Sequence, residues 1–168
     1  DVELLRSRSF LAANLLTLVG SAGFFALGLA NILYLMRVWG YSPFVAGLAG
    51  TPAPFIAAVA AVAAGKLIAQ RDPRPFIAAG SVIWAGGPLL LADRFSSGPH
   101  YLTGYLPAAA VLAVGIGVTF PLVGAIAVAN APGGRFAGAT ALNSSVRQIG
   151  AALGVAILVA LVGQPSPA

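Results

Sequence analysis

The chain has 168 residues, nine of them Lys or Arg and four Asp or Glu, and a formal net charge of +5. Charged residues make up 8% of it against roughly 25% in soluble domains, apolar residues make up 59%, and the mean hydropathy is +0.94; the chain cannot cover a water-soluble globule with a charged surface. The basic residues stand singly or in pairs between apolar runs, which argues against nucleic acid, and the absence of cysteine excludes disulfides and thiolate chemistry.

The fold expected is all-α: a polytopic membrane bundle of about five transmembrane helices, at 10–36, 44–65, 76–92, 101–130 and 137–163, forming one domain over 1–168. A helix needs about 20 residues to cross the hydrocarbon, and the runs lack the apolar/polar alternation of barrel strands. The chain opens on Asp1 with no cleavable signal pattern, since the first apolar run is too long for a signal core; it reads as a piece of something longer.

The first span carries Asn14, Asn31 and Tyr34. Asn31 and Tyr34 are three residues apart and share a face, with Phe24 and Phe25 about two turns below. They form either a polar and aromatic binding wall or, for Tyr34, part of the interfacial aromatic belt. The second span contains Pro52 and Pro54, expected as a kink or a helix end, and Ala46-x-x-x-Gly50, a spacing that permits close helix contact. Pro88 in the third span and Pro107 and Pro121 in the fourth raise the same expectation, and the fourth also supplies Thr119. Its apolar run continues to the loop-like Ala131-Pro132-Gly133-Gly134.

The fifth span is the most informative. Arg147 stands about ten residues inside it, where a charge costs roughly 2.5 to 3.5 kcal/mol on insertion scales and must face protein or a water-filled cavity. Asn143 lies one turn earlier on the same face, with Ser144 beside it and Gln148 next to the arginine. This is either a stripe lining a solute pathway or an arginine bonded to carbonyls of a broken neighbouring helix. Gly150-x-x-x-Gly154 follows, another close-contact spacing.

The connections are short: 37–43, 66–75, 93–100 and a Pro-Gly-Gly-Arg turn at Arg135. A cytoplasmic N-terminus puts Arg6, Arg8, Lys66, Arg71, Arg74 and Arg135 inside and leaves Arg37 and Arg94 outside, as the positive-inside rule favours. No cofactor motif survives: Gly115-x-Gly117 runs into Phe120-Pro121, and no strand precedes it. The lone His100 sits in a polar connection without metal-ligand partners. All four acids, Asp1, Glu3, Asp72 and Asp93, lie outside the spans, as does the histidine, so an enzyme embedded in the membrane is the weakest reading and the spans hold no buried carboxylate to carry a proton.

Several stretches resemble the major facilitator superfamily, and within it the second half of the fourteen-helix drug:proton antiporters. Residues 65–75 are similar to the cytoplasmic loop signature Gly-x-Leu-x-Asp-Arg-x-Gly-x-Arg: Gly65, Leu67 and Arg74 match in register, Ala69 and Gln70 replace the Asp and Arg, and Arg71 is displaced by one. The resemblance continues in Arg8-Ser9-Phe10, Tyr41-Ser42-Pro43-x-x-Ala46-Gly47-Leu48, Gly115-x-Gly117-x-x-x-Pro121, and Ala141-Leu142-Asn143-x-x-x-Arg147-Gln148-Ile149-Gly150-x-x-x-Gly154. It implies a partial six-helix half of an alternating-access exporter in the cell membrane, lacking its N-terminal half and last helix, with the lipid bilayer and a small-molecule solute as partners. On that reading Asn31, Tyr34, Thr119, Asn143, Arg147 and Gln148 line the solute pathway. A carrier for a metabolite or an anion, and a non-transporting subunit packed against a partner, remain as alternatives.

Overall fold

The computed structural model describes residues 8–69, 71–95, 100–129 and 136–163. Helices account for nearly all of them: α1 (Arg8–Arg37), α2 (Pro43–Gly50), α3 (Pro52–Ile68), α4 (Arg74–Phe95), a π-helical turn (Tyr101–Tyr105) running into α5 (Leu106–Ala129), and α6 (Phe136–Val162). No strand occurs among the described residues. Five helical stretches are long and apolar enough to cross a membrane: Arg8–Arg37, Pro43–Ile68, Arg74–Asp93, Tyr101–Ile126 and Phe136–Val162. The all-α, five-span expectation is met.

The helices overrun the apolar runs at their charged ends. Arg8, Arg37, Lys66 and Arg74 sit in terminal helical turns instead of in connections, because a long basic side chain can leave its backbone helical while its charge reaches the interface. The connection expected at 66–75 shrinks accordingly to 69–73. Proline acts unevenly. The second span breaks where expected, before Pro52, whereas α4 continues through Pro88 and α5 through Pro121. Arg6, Gln70, the 131–134 loop and Arg135 lie outside the described residues.

Local sequence explains the corners. After α1, Gly40 adopts φ +68, which only glycine takes without strain, and the Tyr41 N–H reaches back to the Leu35 carbonyl at 3.1 Å. Ser42 then caps α2 by accepting from the Val45 N–H at 3.3 Å, with Pro43 at the first helical position where its missing N–H costs nothing. Asp72 Oδ1 accepts from the Arg74 N–H at 3.0 Å and opens α4.

The chain divides into two compact units, 1–31 with 123–168, and 32–122. In the first, α1 and α6 pack in parallel, with Phe10 against Ala139 and Leu142 at one end. In the second, Leu35, Ala46, Leu91, Tyr105, Ala108 and Ala109 form the buried cluster, ringed by Trp39, Tyr41 and Tyr101. Ala46 is fully buried there, but a β-carbon on Gly50 would meet nothing, so only half of the Ala46/Gly50 pair makes a close contact.

Candidate functional site

The α1/α6 contact is built on glycine and amide chemistry. A β-carbon on Gly150 would strike the Leu18 carbonyl, and one on Gly154 the Ala22 carbonyl, so the two backbones touch along this seam. The Gly150-x-x-x-Gly154 spacing does what it permits. Two turns before Gly150, Asn143 Nδ2 donates to Asn14 Oδ1 at 3.1 Å and to Thr17 Oγ1 at 3.0 Å. Along α1 the same groups are anchored to their own helix. Asn14 Nδ2 donates to the Phe10 carbonyl at 2.9 Å, Thr17 Oγ1 to Ala13 O at 3.0 Å, and Ser21 Oγ to Thr17 O at 2.6 Å. Asn14, Thr17 and Ser21 are all buried.

This seam sorts the flanks of the pair. Contacts climb both helices together, from Phe10 and Ala139 to Ala22 and Gly154, so the helices are parallel. With roughly 100° per residue, one side of α1 carries Ala13, Gly20, Phe24, Leu27 and Asn31, and the other Leu11, Leu15 and Val19. On α6 the corresponding division puts Thr140, Ser144, Arg147 and Gln148 on one side and Leu142, Val146, Ile149 and Leu153 on the other. In a parallel pair the side of α1 that bears Asn31 falls on the same side as the polar side of α6. That shared flank mixes the apolar Phe24 and Leu27 with amide, hydroxyl and guanidinium groups. The wholly apolar flanks likewise coincide, and Leu11, Leu15, Val19, Ile149 and Leu153 are exposed. The pair therefore has one face suited to hydrocarbon and one that, because of its arginine, is not.

Arg147 and Gln148 are exposed on the polar flank, and Arg147 forms no ion pair among the described residues. Asn31 is half-buried on the same flank, further along α1. Asn143 faces α1 itself and is occupied by its two hydrogen bonds, which makes it the register pin behind the flank. The remaining two candidates are in the second unit. Tyr34 stands edge-on to Trp39, with ring centroids 6.1 Å apart, in a cluster where Trp39 also meets Tyr41 and Tyr105. Thr119 is 5% exposed, its hydroxyl without a hydrogen-bond partner among the described residues, in the contact between α5 and Gly80 of α4. The structure thus brings Asn31, Asn143, Arg147 and Gln148 into one unit and leaves Tyr34 and Thr119 in the other.

Thr17 and Ser21 are missing from the candidates drawn from the sequence. Their signal was present: Asn14, Thr17 and Ser21 repeat at three and four residues along one helical stripe. In the loop signature of residues 65–75, Lys66, Leu67, Arg71 and Arg74 are all exposed, and a β-carbon on Gly65 would meet nothing. No group of three or more His, Cys, Asp or Glu comes together among the described residues.

A family model described as the Major Facilitator Superfamily matches residues 13–167. The chain is 34% identical over 156 residues to a puromycin resistance protein of Streptomyces alboniger, covering 91% of this chain and 30% of that protein. It is 28% identical over 160 residues to a probable actinorhodin transporter of Streptomyces coelicolor (94% and 28%). A multidrug resistance protein B homolog of Mycobacterium tuberculosis shows 28% identity over 167 residues (96% and 30%). The chain spans about 30% of the length of these relatives. No solved structure matches it.

Proposed function

The chain belongs to the major facilitator superfamily, and from that premise we propose that it forms part of a secondary active transporter of the cell membrane that exports drugs or other small amphipathic solutes by alternating access. The relatives named for puromycin and multidrug resistance support the solute class. The single structural observation behind the reading is the polar flank of the α1/α6 pair, with Asn31 on α1 and Ser144, Arg147 and Gln148 on α6. A flank of that composition next to lipid would be penalised by the desolvation of its arginine; lining an aqueous pathway removes the penalty. Arg147 and Gln148 then contact the solute, and Asn143 holds α6 in the register that presents them.

The N-terminus lies in the cytoplasm on this reading, which places Lys66, Arg71 and Arg74 at the anionic inner leaflet. Cycling follows from a solute that binds the inward- and outward-open states unequally. Coupling to protons requires a titrating group, and the only described acids, Asp72 and Asp93, sit at helix ends. In a proton-driven cycle that group belongs to other segments of the full-length protein.

Arg147→Ala in the full-length transporter tests the assignment. Losing a charged hydrogen bond to solute is worth about tenfold in apparent affinity, so KM for an exported dye should rise by about that factor with protein yield and thermal stability unchanged. A fall in yield with unaltered KM would instead make Arg147 a scaffold residue.

A further inference from the structure

The second span is two helices joined at a single residue: Thr51 ends α2 and begins α3. Pro52 and Pro54 have no N–H to offer the carbonyls of Leu48 and Gly50 four residues back, so the ladder is cut here. Two carbonyls on the α2 side find substitutes within the break: Leu48 O accepts from the Thr51 N–H at 3.1 Å, and Gly47 O from Thr51 Oγ1 at 3.1 Å. The next carbonyl, Ala49 O, accepts from outside the span: Tyr101 Oη donates to it at 2.9 Å across 52 residues of sequence.

We propose that Tyr101 is the tie that holds the broken second span in its bent form, and that releasing this hydroxyl lets α2 and α3 change their angle. An interfacial tyrosine ordinarily turns its hydroxyl toward headgroups and water; this one spends it on a backbone acceptor beside a proline break. Its own placement is specified from behind. Residues Tyr101–Tyr105 form a π-helical turn, in which His100 O accepts from the N–H groups of Gly104 (2.9 Å) and Tyr105 (3.1 Å), and Leu106 N–H reaches Tyr101 O. The turn stacks Tyr101 on Tyr105 with centroids 5.4 Å apart and planes 23° apart. Tyr105 is 2% exposed and packed among Leu35, Trp39, Ala46 and Leu91. The donor is therefore carried on a fixed platform while the acceptor lies on the weakest point of a span, the arrangement a hinge restraint requires. Its loss leaves a backbone carbonyl without that donor in a medium that supplies none, which favours rearrangement of the break.

The test does not depend on which solute is carried. It measures backbone amide exchange over 50–57 in the full-length protein in lipid nanodiscs without solute, for wild type, Tyr101→Phe, Pro52→Ala/Pro54→Ala, and the three changes together. Tyr101→Phe should raise exchange about five- to tenfold, the worth of one hydrogen bond, and should do nothing once both prolines are replaced and the ladder is intact. Should Tyr101→Phe alone fail to accumulate, replacing the prolines should restore it. Unchanged exchange in Tyr101→Phe, an equal rise in both backgrounds, or no restoration would each overturn the proposal.

Discussion

The α1/α6 and α4/α5 contacts both bring backbones together through glycine, and they differ in what lies beside the glycines. Between α1 and α6 the close approach of Gly150 and Gly154 continues into the hydrogen-bonded Asn14, Thr17 and Asn143. Between α4 and α5 a β-carbon on Gly80 would fall 2.6 Å from Thr119 Oγ1, one on Gly87 2.7 Å from Leu112, and one on Gly115 2.5 Å from the Trp84 backbone. The polar atom at that contact, Thr119 Oγ1, has no partner among the described residues, and Trp84 and Phe120 lie with ring centroids 5.5 Å apart. Lipid tails are as apolar as leucine, so burial alone cannot choose among ways of packing two such helices. Shape decides at α4/α5. At α1/α6 directed hydrogen bonds also fix which residue meets which, and this is the pair whose rotation determines where Arg147 points.

The largest effect that would break this comparison is steric. Gly154→Val drives a branched side chain into the Ala22 carbonyl, which belongs to backbone and cannot step aside; a loss of about 3 kcal/mol is expected from overpacking of this severity, read as a fall in thermal stability and yield of the full-length protein in detergent. Comparable stability would mean that the two helices are not in backbone contact. A smaller effect sharpens the other side. Gly80→Ala should cost about 1 to 2 kcal/mol, and Thr119→Ala should relieve part of it, because it removes the nearest atom, Oγ1 at 2.6 Å, and leaves Val118 Cγ1 and Cβ at 3.0 and 3.1 Å. Additive losses in the double variant would mean that Val118, and not Thr119, sets the cost at Gly80. The smallest effect is chemical: Asn143→Ala removes two interhelical hydrogen bonds, each worth on average about 0.6 kcal/mol in a membrane protein. A total near 1 kcal/mol is expected, with a clear coupling to Asn14→Ala in a double-mutant cycle and none to Thr119→Ala.

Much of the fold was legible because hydrocarbon imposes a simple rule: about 20 uncharged residues in a row must be helical and must span. Charge placement alone is therefore enough to count five spans. It misjudged their ends, where Lys66 and Arg74 remain helical because their side chains can extend to water without the backbone following. The break at Pro52 and the tight Gly150-x-x-x-Gly154 contact were also readable, each from a local backbone property. Pro88 and Pro121 were not distinguishable from Pro52, since a proline's effect depends on whether neighbouring groups satisfy the carbonyl it orphans.

The candidate site divides along the same line. That Arg147 is costly against lipid is a statement about one residue and its solvent, and it is read from the sequence alone. Which helix shares its flank, that Asn143 turns inward to bond Asn14 and Thr17, that Thr119 is sealed against Gly80, and that the hydroxyl of Tyr101 finds the carbonyl of Ala49 were decided only by tertiary structure. Hydropathy is summed along the chain and can be read there; a hydrogen bond of about 3 Å between residues 52 or 129 positions apart depends on the rotation and register of whole helices. No local pattern of residues encodes those.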